Sequence, residues 1–277
     1  MRVTNKKQWL HYHDSKICYQ LHKAPSSGDK PYIIFVHGFL STQYSFRKLI
    51  PHLVPAFHVV TLDLPPFGDS ERCVEFKYSY SNMAKLLLHF MNTFSIQKAY
   101  VSGHSMGGQI ALTFAHLYPE RVEKLFLMAP SSYMKKADFL TGLSSSLPFF
   151  PSLLKRVFRQ NGVYGILQKC IYNEQIINKR MLAIYSKPFL DDDIYKCLTK
   201  MVRDREGDLK EPDLQTISKK TVVFWGKEDQ ILPHTIGYQL LKDLPSAELC
   251  LFSHTGHFLP EERPLPIAQY ILHIKDN

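Results

Sequence analysis

Ser105 sits in Gly103-His104-Ser105-Met106-Gly107-Gly108, between a short run with a strand's composition, Lys98 to Ser102, and an amphipathic helical run, Met106 to Tyr118. A serine at a strand, sharp turn, helix junction can act as a nucleophile, because the turn lifts its hydroxyl clear of the sheet edge. Such a turn strains the backbone at the serine and presses strand against helix, so the residues two positions to either side must be small. Gly103 and Gly107 meet that demand. A serine that only capped the following helix would leave both glycines unexplained.

A serine hydroxyl is a weak nucleophile at neutral pH and needs a base within hydrogen-bond reach, itself oriented by a third group. Two later stretches carry such groups. Trp225-Gly226-Lys227-Glu228-Asp229-Gln230-Ile231-Leu232-Pro233 follows a strand-like run and offers Glu228 and Asp229. Ser253-His254-Thr255-Gly256-His257-Phe258-Leu259-Pro260-Glu261 follows the last strand-like run and offers His254 and His257, with Gly256 small enough to let the loop bend toward the nucleophile.

The elbow sequence, taken with Val36-His37-Gly38-Phe39, resembles the α/β-hydrolase superfamily of serine hydrolases over Pro31 to Lys275. Lys187-Pro188-Phe189-Leu190-Asp191-Asp192 and Arg203-Asp204-Arg205-Glu206-Gly207-Asp208-Leu209 resemble a subgroup of bacterial cap-domain hydrolases. The resemblance implies the order Ser, Asp or Glu, His. The spacing of Gly226, Asp229 and Pro233 then selects Asp229 over Glu228, and Gly256-His257 selects His257 as base, leaving His254 in solvent. It also implies two backbone N–H donors for a developing oxyanion, from Met106 and from Phe39, with His37 packing the loop. A serine nucleophile removes the epoxide hydrolases and haloalkane dehalogenases of this fold, which need a carboxylate there. Pro66, in Asp63-Leu64-Pro65-Pro66-Phe67-Gly68-Asp69-Ser70, stands where the family commonly has glycine, which bears on the local turn.

Positioning these residues requires a sheet with helices on both faces, and alternating β-like and helical runs predict one. The expected elements are a hairpin, Gln8 to His13 and Lys16 to His22 about Asp14-Ser15; strand Tyr32 to Val36; helix Tyr44 to Val54; strand Phe57 to Leu62; helix Tyr80 to Phe94; and strand Val122 to Met128 beyond the elbow. From Ser131 to Ile217 only helical patterns occur, at Phe139 to Gln160, Gly162 to Tyr172, Glu174 to Tyr185 and Asp191 to Arg203. Strands Thr221 to Trp225 and Ala247 to Phe252 and helices Thr235 to Leu244 and Pro264 to Ile274 complete the pattern. The fold class expected is therefore α/β, an α/β-hydrolase core from residues 1–130 and 218–277 with a helical cap, 131–217, inserted between two strands. The first cap helix presents Phe139, Leu140, Leu143, Leu147, Phe150, Leu153, Leu154 and Val157, with Tyr164 and Tyr172 beyond, an apolar face for an acyl or aromatic substrate or for docking the cap.

The whole chain narrows the function further. Its 277 residues are 45% hydrophobic and 21% charged, ordinary for a folded protein. Lys6 and Lys7 are not followed by a signal-type apolar stretch, and no window approaches the ~18 apolar residues of a membrane span. The net charge of +9 is spread out, acidic residues interrupting every cluster as in Arg203-Asp204-Arg205-Glu206, which argues against a nucleic-acid partner. Five scattered cysteines, Cys18, Cys73, Cys170, Cys197 and Cys250, suit reduced thiols in the cytoplasm, the last three in packing positions. No metal cluster or dinucleotide fingerprint occurs, so neither metal nor cofactor is expected. The expected function is a carboxylesterase acting on small to medium apolar esters, without cofactor or integral membrane association. The rivals are a carbon–carbon bond hydrolase or lyase, a lipase at a membrane surface, and a slow hydrolase serving as a small-molecule receptor.

Overall fold

The computed structural model describes residues 6–25, 30–136 and 149–276. Eight strands form one sheet: β1 (Gln8–Tyr12), β2 (Ser15–His22), β3 (Tyr32–Val36), β4 (His58–Leu62), β5 (Ala99–His104), β6 (Val122–Met128), β7 (Thr221–Gly226) and β8 (Ala247–Phe252). Their order across the sheet is β1-β2-β4-β3-β5-β6-β7-β8. Only the β1–β2 and β2–β4 pairings are antiparallel. The Ile33–Val36 segment of β3 is wholly buried, as a strand covered on both faces must be, which is why it reads as an unbroken apolar run.

The helices are α1 (Ile50–Leu53), α2 (Tyr80–Thr93), α3 (Met106–Leu117), α4 (Phe150–Cys170), α5 (Lys179–Ser186), α6 (Asp193–Asp204), α7 (Glu211–Leu214), α8 (Thr235–Asp243), α9 (Leu259–Glu262) and α10 (Pro264–Asp276). Ser79 starts α2 by accepting the Asn82 N–H at 3.2 Å. The mostly parallel sheet flanked by helices is the architecture the sequence led us to expect.

Several boundaries differ from the sequence reading, each for a local reason. The hairpin turns at His13-Asp14 rather than Asp14-Ser15, so Tyr12 pairs with Ser15 and Leu10 with Ile17. The helix expected at Tyr44 to Val54 is a 3₁₀ turn, Gln43–Phe46, followed by α1. Pro51 has no N–H to give an earlier turn and is tolerated only at a helix start, so the helix begins again at Ile50. The two helices expected on either side of residue 161 run as α4, kinked at Gly162 with φ 61° and ψ 162°; the start expected at Phe139 lies outside the described residues. The helix expected from Glu174 begins only at Lys179, where Asn178 accepts the Met181 N–H at 3.0 Å.

One large core, with Phe35, Phe126, Phe224 and Trp225 fully buried, holds the sheet and its flanking helices together. A smaller cluster, Leu167, Ile171, Met181, Tyr185 and Phe258, joins α4 and α5 to the loop after β8. Of the cysteines, Cys18 and Cys197 are buried and Cys73, Cys170 and Cys250 half-buried, all as free thiols. No described helix is long and apolar enough to cross a membrane.

Candidate active site

The strands from β3 to β8 run parallel, so the loops that follow them collect along one edge of the sheet. The chain leaves β3 for β4 on one side and comes back to β5 on the other; where neighbouring connections diverge, a crevice opens at the carboxyl ends of the strands. Val36 and Gly103 are register partners at that point. Ser105 lies one residue past β5, Phe39 three past β3, Asp229 three past β7 and His257 five past β8.

Ser105 has φ 53° and ψ −120°, a strained conformation for a residue with a side chain. It is held there from both sides: its N–H donates to Met128 O at 2.9 Å, and its carbonyl accepts from Gly108 at 2.8 Å and from Ser131 at 3.0 Å. A Cβ on Gly103 would stand 2.2 Å from Gly107 O, and one on Gly107 would stand 2.1 Å from Val36 O. Both glycines are therefore demanded by close packing of strand, elbow and helix. Gly38 completes the enclosure, since a Cβ there would lie 3.0 Å from Ser105 Cβ.

Asp229 and His257 meet through a 2.8 Å hydrogen bond between Oδ2 and Nδ1, with the two side chains 0% and 6% exposed. The other carboxylate oxygen accepts the Ile231 and Leu232 N–H groups at 2.8 and 2.9 Å, so both oxygens are engaged and the side chain is fixed. With Nδ1 facing a carboxylate, the ring proton sits on Nδ1 and Nε2 keeps its lone pair. Glu228 points elsewhere, accepting the Thr255 N–H at 2.9 Å. His254 is exposed and meets Tyr172 Oη at 3.1 Å. The Ser105 hydroxyl has no hydrogen-bond partner among the described residues, which leaves it free to engage a base. Neither the Phe39 nor the Met106 N–H has an acceptor among them.

Two buried imidazoles brace this edge. His37 donates from Nδ1 to Gly38 O at 2.8 Å and accepts the Leu64 N–H on Nε2 at 2.8 Å, which fixes a neutral ring; burial lowers its pKa to about 4. His104 donates from Nε2 to His257 O at 2.9 Å, tying the elbow to the histidine loop, and burial, then the neighbouring His257, lower its pKa well below the ordinary value. Gly256 serves a different need from the bend expected of it: a Cβ there would lie 2.7 Å from Cys170 O and 2.9 Å from Tyr172 N, so the loop is pressed against the end of α4. Glu262, which the sequence did not single out, accepts from Gly256 at 2.9 Å and from Tyr172 at 3.0 Å and stitches the same contact.

A cavity of about 350 Å³ opens over Ser105, with Phe39 and Met106 in its lining. Its apolar lining includes Tyr78 and Met83, before and on α2, and Leu198, Met201 and Val202 of α6. The α4 residues expected to form this wall, Phe150, Leu153, Leu154 and Val157, are not in the lining, and Leu153, Val157, Tyr164 and Tyr172 are exposed. α6 could have been favoured from its sequence, because its apolar residues Ile194, Leu198, Met201 and Val202 recur at helical spacing against a charged face. Phe139, Leu140, Leu143 and Leu147 lie outside the described residues.

One constellation could in principle suit a metal: Cys18, Asp63 and Asp69, whose ligand atoms lie within 4.8 Å of one another. Its donors are already engaged. Asp63 accepts from Gln43 N at 2.8 Å, Gln43 Nε2 at 2.9 Å and Asp69 N at 2.9 Å. Asp69 is bridged to Lys7 and Lys187, and burial pushes the Cys18 thiol up to about 12. These bonds also order the turn that carries Pro66, with Gly68 at φ 59° over the Asp63 carboxylate.

Comparison with known proteins places the geometry in a family. The family model for the alpha/beta hydrolase fold matches residues 31–169 and 167–264. The chain is 39% identical over 239 residues to the uncharacterized hydrolase YugF of Bacillus subtilis (strain 168), covering 86% of this chain and 88% of that one. It is 24% identical over 279 residues to the human monoacylglycerol lipase ABHD6, covering 96% of this chain and 80% of the relative. Among solved structures, the meta-cleavage product hydrolase CumD of Pseudomonas fluorescens IP01 superposes with a TM-score of 0.78 at 18% identity, covering 97% of each chain. With a serine elbow, a buried Asp–His pair and a family match over most of its length, the chain belongs to the α/β-hydrolase-fold family and is a hydrolase.

Proposed function

We propose that the protein is a carboxylic ester hydrolase that works through an acyl-enzyme, with Ser105 as nucleophile, His257 as base and Asp229 as its orienter. The observation that carries this reading is the 2.8 Å Asp229–His257 bond beside a strained serine at the floor of an apolar cavity. Ser105 Oγ attacks the ester carbonyl while its proton passes to His257 Nε2. The imidazolium that forms is stabilised by the Asp229 carboxylate. The carbonyl oxygen becomes an oxyanion and takes hydrogen bonds from the Phe39 and Met106 N–H groups, each worth roughly a hundred- to a thousand-fold in rate. Collapse expels the alcohol, which takes the proton from His257, and water repeats the sequence to free the acid. Residues 131–217 act as a cap over the core formed by 1–130 and 218–277, and α6 supplies the upper wall of the acyl pocket.

A fluorophosphonate probe should label the wild type and leave Ser105→Ala unlabelled, with p-nitrophenyl ester turnover lost in that variant by about a million-fold. Undiminished labelling of the variant would overturn the assignment of the nucleophile. Hydrolysis of a vinylogous 1,5-diketone in preference to any ester would move the reading to carbon–carbon bond cleavage, which the likeness to the meta-cleavage product hydrolase supports as the second candidate.

A further inference from the structure

We propose that Arg205 is a specificity determinant of this pocket, receiving a carboxylate at the far end of the substrate's acyl chain. The proposal rests on the ester-hydrolase reading and narrows its substrate class to half-esters of dicarboxylic acids.

Among the described residues, Arg205 is the only charged one in the lining of the cavity over Ser105. Its neighbours in the chain are held. Asp204 accepts the Tyr78 N–H at 2.8 Å and pairs with Lys200 at 2.9 Å; Glu206 accepts the Ser81 N–H at 2.6 Å and the Ser81 hydroxyl at 3.0 Å. Both acids are thereby fastened to the start of α2. Arg205 itself is the C-cap of α6, where the chain leaves the helix with φ −64° and ψ 116°. Between these two held acids Arg205 lines the cavity, on the stretch where Arg203-Asp204-Arg205-Glu206 reads in sequence as a mere alternation of charge.

The guanidinium has Asp208 and Tyr80 as electrostatic neighbours but is left without a hydrogen bond there. Its Nε is buried with no acceptor, and none of its nitrogens makes a hydrogen bond or an ion pair among the described residues. Asp208 is close enough to feel the charge; its Oδ2 accepts from Ser131 at 2.9 Å and from Met134 at 3.0 Å, and its Oδ1 is buried without a hydrogen-bond partner among the described residues. When a neutral acyl chain fills the cavity, it strips water from the guanidinium and returns nothing; a carboxylate of the right reach returns two charge-assisted bonds. A pocket with an unpaired polar group thus discriminates against the ligand that lacks the complement. One cation matches one carboxylate; a phosphate dianion would remain half-compensated by a lining with no second charged residue among those described.

The test compares kcat/KM for p-nitrophenyl butyrate, valerate and hexanoate with that for the mono-p-nitrophenyl esters of succinic, glutaric and adipic acid. The wild type should favour the carboxylate-ended member at one or more lengths. That preference ratio should fall about 10- to 100-fold in Arg205→Met and be partly kept in Arg205→Lys. A ratio below one at every length, or one that Arg205→Met leaves unchanged, overturns the proposal. If Arg205→Met does not fold, thermal unfolding of the wild type decides: adipate should raise the midpoint more than hexanoate, and the reverse order overturns the assignment. Neutral-ester hydrolysis in the same assay reports on the ester-hydrolase reading separately, because the thermal shift needs no turnover.

Discussion

At Gly103 and Gly107 an added Cβ would stand 2.2 and 2.1 Å from backbone atoms, whereas at Gly162 and Gly165 of α4 it would meet nothing within 4 Å. The elbow and the helical insert thus use the same residue under opposite conditions. In the elbow, strand β5, helix α3 and the loop after β3 are in contact around Ser105, and glycine is the one residue that fits. In α4, Gly162 is required by its positive φ alone, and Gly165 by neither space nor conformation. The difference extends to side chains: α3 buries Met106 through Ala115 without a break, while α4 leaves Leu153, Val157 and Tyr164 exposed. The elbow is over-determined by packing, and α4 is loosely built.

If the edge loops carry the chemistry, Asp229→Asn should lower kcat/KM about 10⁴-fold on p-nitrophenyl butyrate, because the amide no longer fixes the His257 tautomer. Glu228→Gln, which alters only a bond to the Thr255 N–H, should cost about tenfold at most. Equal losses in the two variants would erase the distinction between orienter and neighbour. Next in size, Gly107→Ala should destabilise the protein by about 3 kcal/mol, since the Val36 carbonyl it meets is β3 backbone and cannot move aside. Urea unfolding followed by circular dichroism would show it, and a midpoint like that of the wild type would mean that the elbow yields.

The buried imidazoles sharpen the same contrast through pH. His37 has a pKa of about 4 when folded against 6.5 when exposed, so as pH falls the unfolded chain takes the proton first. Its contribution is complete above pH 6.5 and is lost progressively toward pH 4, up to about 3 kcal/mol. His104 acts in the same direction. Unfolding free energy measured from pH 7 to 4 should therefore slope less steeply in His37→Asn than in the wild type; parallel slopes would show that His37 is not held neutral. The smallest effect belongs to the insert: Gly165→Ala should stabilise by about 0.5 to 1 kcal/mol, as alanine does in a helix with room for it. A loss instead would mean that α4 is packed as tightly as the elbow.

How much could be read in advance follows from the range of the forces involved. The elbow was legible because its constraint is local: the glycine on each side of Ser105 answers a steric demand within five consecutive residues. The strands were legible because burial on both faces requires unbroken apolar runs, as in Tyr32–Val36. Helix ends were less so, because Pro51 and Asn178 had to compete with apolar patterns running through them.

What the sequence determined by itself is the set of chemical parts, the two glycines that permit the elbow and the alternation that builds a parallel sheet. Tertiary structure alone decided which helix walls the pocket and where Arg205 points. Those depend on groups far apart in the chain: α6 and Arg205 reach the cavity over Ser105 with Asp204 and Glu206 held by residues more than a hundred positions earlier. A periodic pattern states that a helix has a buried face; what that face is buried against is set by the parts of the chain that fold over it.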